Sequence, residues 1–138
     1  MADTGAAQQR GAVYPKLLRI AIALQTATIF FQAATAGLLL SSSHGEVLHG
    51  VGARVMYAAA MLHVLAAVLA WRPGGRSPAS ILYGTGFLAL ASVQVVLGIA
   101  HVPSLHVPLG VLMFGMSLLR LGLELNAHRT GGRATAGG

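Results

Sequence analysis

The chain has 138 residues, of which 55% are hydrophobic and only 9% charged. Its mean hydropathy is +0.71, which leaves too little polar surface to solvate a globular domain of this length. With no cysteine, disulfides, thiolate metal sites and cysteine nucleophiles are excluded, and the redox compartment is unreadable. The formal charge of +6 would suit a nucleic-acid partner in a soluble domain. Here it sits mostly at the ends of apolar runs, as membrane topology requires, and the sequence carries no nucleic-acid, phosphate-loop or soluble-hydrolase motif.

A polar stretch, residues 1–14, precedes four apolar runs, each long enough for a hydrocarbon core that needs about 20 helical residues. The runs predict a transmembrane domain over 15–126, with helices at about 17–40, 48–71, 79–100 and 106–123. The first ends at Ser41-Ser42-Ser43-His44-Gly45 and the second at Arg72-Pro73-Gly74-Gly75-Arg76. Pro108 falls in the expected first turn of the fourth helix, where a missing N–H does little harm. Residues 127–138 read as a basic tail without regular structure, able to touch anionic headgroups. Short connections between long helices predict an all-α integral membrane protein, a four-helix up-down-up-down bundle in a lipid bilayer.

Basic residues orient it, because Lys and Arg in short loops stay on the cytoplasmic side. Arg10, Lys16, Arg19, Arg72, Arg76, Arg120, Arg129 and Arg133 all fall on one side of this topology, and the other two loops carry none. Both termini are therefore expected in the cytoplasm, with the protein multi-pass in the cell membrane. The polar start lacks the short apolar core and small-residue cleavage site of a signal peptide, so the first helix is expected to be retained. Small residues, among them Ala33, Ala34, Ala36, Gly37, Ala58, Ala59, Ala60, Gly84, Gly86, Gly98, Gly110 and Gly115, mark where helices are expected to approach.

Polar residues at membrane depth are costly unless they face a partner, a cofactor or water. They are Gln25, Gln32, His49, Arg54, His63, Gln94 and His106. His49 opens the second helix and His106 the fourth, and both helices start on the outer side, so the two imidazoles are expected at matching depth. Such a pair can hold one haem iron from opposite faces. It can equally be two snorkelling or hydrogen-bonded interfacial histidines. Arg54 lies about 7.5 Å below His49 and needs an anionic partner, for which a haem propionate, Glu46, a polar cavity or a neighbouring subunit all serve.

His63 follows His49 by fourteen residues, about 21 Å further along and within roughly 40° of the same face. It is either a buried hydrogen-bonded histidine or a ligand to a second haem. The equivalent position on the fourth helix is Arg120, so a second iron would need Met113, Met116 or a residue of another subunit. His44 and His101 join Glu46 in or beside the outer loops, a collection that could also bind copper or zinc. His128 belongs to the solvated tail. No carboxylate lies at mid-membrane, since Glu46 is at the outer edge and Glu124 at the inner end, which weighs against a proton-coupled transporter.

The segments Glu46-Val47-Leu48-His49, Gln94-Val95-Val96-Leu97-Gly98 and Ser104-Leu105-His106-Val107-Pro108-Leu109-Gly110 together resemble elements of the haem A synthase family. They are similar to the opening of its second helix, and to its third helix followed by the outer loop and the fourth-helix histidine. The resemblance spans residues 46–115 and, in helix count, the whole chain. It implies a half-bundle binding haem b, with His49 and His106 as paired axial ligands and Gln94 within the matched third helix. It further implies Glu46 as the carboxylate associated with oxidation of a haem methyl to a formyl group.

The common family member has two such halves, paired outer-loop cysteines and an Arg after the helix-two histidine. This chain has one half, no cysteine and Gly50; association into a homo-oligomer would reconcile the length. Two function classes follow. One is a haem-binding membrane cytochrome acting in electron transfer or haem modification, a haem-dependent oxidoreductase. The other is a non-catalytic accessory subunit of a larger respiratory or transport complex. No feature names a redox partner or a quinone.

Overall fold

The computed structural model describes residues 3–39 and 41–136, with side chains over 13–39 and 41–129. The expected end of the first helix at Leu40, and the side chains of Arg10 and Arg133, lie outside the described residues. Four helices account for almost all of the chain: α1 (Asp3–Leu39), α2 (Gly45–Trp71), α3 (Ala79–Ile99) and α4 (Pro103–Ala136). Each contains a segment long and apolar enough to cross a membrane: Val13–Leu39, Gly45–Trp71, Ala79–Ile99 and Pro103–Arg129. The shortest, at 21 residues, reaches about 32 Å, against a hydrocarbon core of about 30 Å.

The breaks fall where side chains cannot continue a helix. Serines follow α1, Pro73 follows α2, and left-handed backbone at Gly75 (φ 71°) and His101 (φ 53°) turns the chain before α3 and α4. Pro103 is the first residue of α4, where its missing N–H would be unpaired in any case.

Three expectations are corrected here. The polar stretch 1–14 is helical from Asp3, and the tail over 127–138 is helical as far as Ala136. Apolar length marks where lipid ends, whereas Ala6, Ala7, Gln8 and Gln9, or Leu125, Ala127 and Arg129, favour continued helix beyond it. Pro108 lies inside α4 rather than in its first turn, because the helix starts a turn earlier than the apolar run.

The helices form a ring in which α1 touches α2, α2 touches α3, α3 touches α4 and α4 returns to α1, with no close backbone approach between α2 and α4 among the described residues. Polar and aromatic contacts between neighbours come in pairs along each seam. Gln25 meets His63 while Gln32 meets His49; Thr26 meets Ser117 while Phe30 meets Phe114; Arg120 reaches Ser80 while His106 reaches Gln94. One end of the bundle therefore carries His49 and His106, and the other carries Arg76 and Glu124.

Between these ends Ile29, Met56, Ala60, Phe87, Ala91 and Met113, drawn from all four helices, close into an apolar cluster. Towards the Arg76 end Leu18, Ala21 and Ile22 pack on Ala66, Ala67 and Ala70, whose small side chains let α1 and α2 approach closely. Many large apolar side chains face outward as well, Leu82 being 77% exposed and Ile99 73%, the arrangement expected when lipid is the solvent.

The glycines divide. A Cβ on Gly84 would sit 3.3 Å from Val64, one on Gly98 3.4 Å from His106, and one on Gly110 2.8 Å from the Gln94 amide nitrogen. Gly37, Gly86 and Gly115 face open space and are not the close approaches expected of them.

Candidate functional site

α2 carries His49 in its second turn and α4 carries His106 in its first, so two diagonal helices present their imidazoles towards each other. The ring centroids are 6.2 Å apart and the planes are nearly perpendicular, at 65°. Both rings are anchored by Nδ1. On His106, Nδ1 lies 3.1 Å from the backbone oxygen of Gln94, an acceptor only, so Nδ1 carries the proton and Nε2 keeps its lone pair. On His49, Nδ1 lies 3.2 Å from Thr35 Oγ1.

Thr35 is held in turn by the Gln32 backbone oxygen at 3.0 Å. The Gln32 amide donates to the His49 carbonyl at 3.0 Å and passes 3.4 Å from His49 Nε2. Both imidazoles are fixed from behind through Nδ1, which is how a protein orients a metal-bound histidine, and His49 Nε2 accepts a long contact from the Gln32 amide that a metal would displace.

Small residues keep the position close. Gly98 lies against His106 Cε1, and a Cβ on Gly52 would collide with Gln32 Oε1. The Gln94 side chain is buried at the α3–α4 seam beside Gly110, and its Oε1 has no hydrogen-bond partner among the described residues.

The other expected site residues lie apart. Glu46 is exposed in the first turn of α2, where a carboxylate suits the positive helix end. Arg54 is exposed on the outer surface of α2 and forms no ion pair among the described residues, with Glu46 or any other carboxylate. Five residues of helix place it about 140° around from His49, so the two side chains leave α2 on different faces. His44 and His101 are exposed. No group of three or more His, Asp or Glu side chains able to hold a metal ion forms among the described residues.

His63 is wholly buried near the Arg76 end, its Nδ1 2.8 Å from Gln25 Oε1 and its ring beside Tyr83. Of the two residues considered as its iron-binding counterparts that are buried or half-buried, Met113 belongs to the apolar cluster. The Arg120 guanidinium packs over Tyr83 and contacts Ser80 and Glu124.

The donor set fits a haem iron better than a bare copper or zinc ion. A haem already supplies four nitrogens and asks the protein for two axial ligands, whereas a structural zinc asks it for four and a catalytic zinc for three. Two facing imidazoles meet the first requirement and fall short of the second. No family model, curated protein or solved structure matches the chain.

Proposed function

We propose that this chain is a bis-histidine haem-binding membrane protein, with haem b between α2 and α4 and His49 and His106 as its axial ligands. The observation that carries the reading is the 6.2 Å between the ring centroids. Two metal–nitrogen bonds of about 2 Å, with roughly 1.1 Å from each nitrogen to its ring centre, span about that distance. Thr35 and the Gln94 carbonyl hold the rings in register, and Gly98 lets the His106 ring pack directly against α3. When bound, the haem supplies one-electron chemistry between ferrous and ferric iron, in electron transfer or haem modification.

The haem A synthase resemblance would give Glu46 a catalytic part at the same end of the bundle. Up-down-up-down topology, cytoplasmic termini and residence in the cell membrane belong to this reading too, supported by the eight basic residues at one end. Haem-replete expression tests it. The purified protein should show a Soret band that is lost in His49→Ala and in His106→Ala but kept in His101→Ala.

Arg54 favours a second reading, an accessory subunit of a larger complex. It sits about 6 Å from the middle of the α2 span, exposed and without an acidic partner among the described residues, where a charge calls for an anionic neighbour. Under that reading Arg54→Leu disrupts co-purification of a defined complex while His49→Ala does not.

A further inference from the structure

The Arg76 end holds a polar cluster that the haem reading does not use. One residue from each helix contributes: Gln25 of α1, His63 of α2, Tyr83 of α3 and Arg120 of α4. Gln25 and His63 are completely buried. The His63 and Tyr83 rings are 5.7 Å apart, and the Arg120 guanidinium is 5.7 Å from the Tyr83 ring. Gln25 Oε1 takes His63 Nδ1, and since an amide oxygen only accepts, the His63 proton sits on Nδ1 and Nε2 presents a lone pair.

Gln25 Nε2, His63 Nε2, the Tyr83 hydroxyl and Arg120 Nε are all buried with no hydrogen-bond partner among the described residues. The Ser117 hydroxyl lies near Tyr83 without pairing with it. Buried polar atoms in native proteins are nearly always satisfied, so four orphans on side chains in sequence around one core point to a guest.

The chemistry of these atoms selects the guest. Gln25 and Arg120 offer donors, His63 offers an acceptor and Tyr83 offers either. An apolar molecule would satisfy none of them, a cation would meet Arg120, and an anion would meet the His63 lone pair. Water donates and accepts, and a buried water typically makes two to four such bonds.

We propose that this cluster is an internal hydration site, holding on the order of one or two water molecules among Gln25, His63, Tyr83 and Arg120. Its nearest partly exposed polar side chains are Arg76 and Arg120, and in this proposal water enters from the Arg76 end. His63 then lies about 12 Å inside the end of α2 yet in contact with solvent, while the apolar cluster around Met113 and Phe87 separates it from the histidine pair.

Solid-state NMR on the full chain, labelled with ¹⁵N-histidine in lipid bilayers, tests this through magnetisation transfer from water to the imidazole nitrogens. His63 is assigned by comparison with His63→Gln, or, if that variant does not fold, by its proximity to the Tyr83 ring in a sample also labelled with ¹³C-tyrosine. The site predicts transfer to His63 at mixing times that also light up the exposed His44 and His101. Transfer to those two with none to His63 overturns it. Neither result depends on whether haem binds at His49 and His106.

Discussion

Glu124→Gln is the sharpest perturbation of the Arg76 end. The Glu124 carboxylate is only 3% exposed and accepts from Arg76 Nη1 at 2.6 Å and Nη2 at 3.2 Å, and from Arg120 Nη2 at 3.3 Å. It therefore ties the α2–α3 connection to α4 in a single fork. The amide substitute keeps the shape but leaves two guanidinium groups facing a neutral group.

Removing one partner from a fully buried pair costs about 3–5 kcal/mol, and a fully exposed pair contributes about 0–1 kcal/mol. The two arginines are 34% and 20% exposed, which places the expected loss at about 2–3 kcal/mol. Arg76→Gln, on the more solvated partner, should cost about 1 kcal/mol. Reversible unfolding in mixed micelles reads both, and the double variant completes a cycle whose coupling should be about 1–2 kcal/mol. A Glu124→Gln loss under about 0.5 kcal/mol, or a cycle with no coupling, would refute the reasoning, because the carboxylate would then be no better held than a surface pair.

Gly52→Ala should displace Gln32, whose Oε1 occupies the space of the new methyl, and so loosen His49. Reduced haem retention with normal expression is the expected result, and Gly37→Ala, with nothing within 4 Å, should leave retention unchanged. Thr35→Val should remove the Nδ1 anchor of His49 and shift the low-spin haem spectrum while the fold persists; an unchanged spectrum would mean that Thr35 does not orient the ligand. Because the chain has no cysteine, Ser42→Cys and Ser77→Cys report topology alone. An impermeant maleimide applied to intact cells should label the first and not the second, and the opposite pattern would invert the orientation.

Much of this was legible in the sequence. Four apolar runs between serine, proline and glycine breaks locate the helices, because hydrocarbon thickness sets their length. Helix ends were less legible: polar residues such as Gln8, Gln9 and Arg129 leave the membrane without leaving the helix, so composition and backbone hydrogen bonding stop at different places.

His49 and His106 could be paired by depth alone, and the fold brings their rings together. Their supports could not be named as easily. Thr35 follows Gln32 by three residues, on one face of α1, a signal available in the sequence but meaningful only once α1 is known to pack on α2. The fork of Arg76 and Arg120 on Glu124 was hidden for the opposite reason. Each reads singly as a residue at a membrane boundary, and only the register of a loop against α4 closes the pair. Arg54 shows the limit of spacing: its distance from His49 along the axis suggests a shared site, while its angle around α2 turns it away.

Haem at the histidine pair is the central claim, and pyridine haemochrome analysis of the protein from haem-replete cells tests it most directly. The prediction is the spectrum of haem b, in proportion to His49 and His106 both being present. Colourless protein, correctly folded and inserted, would contradict it.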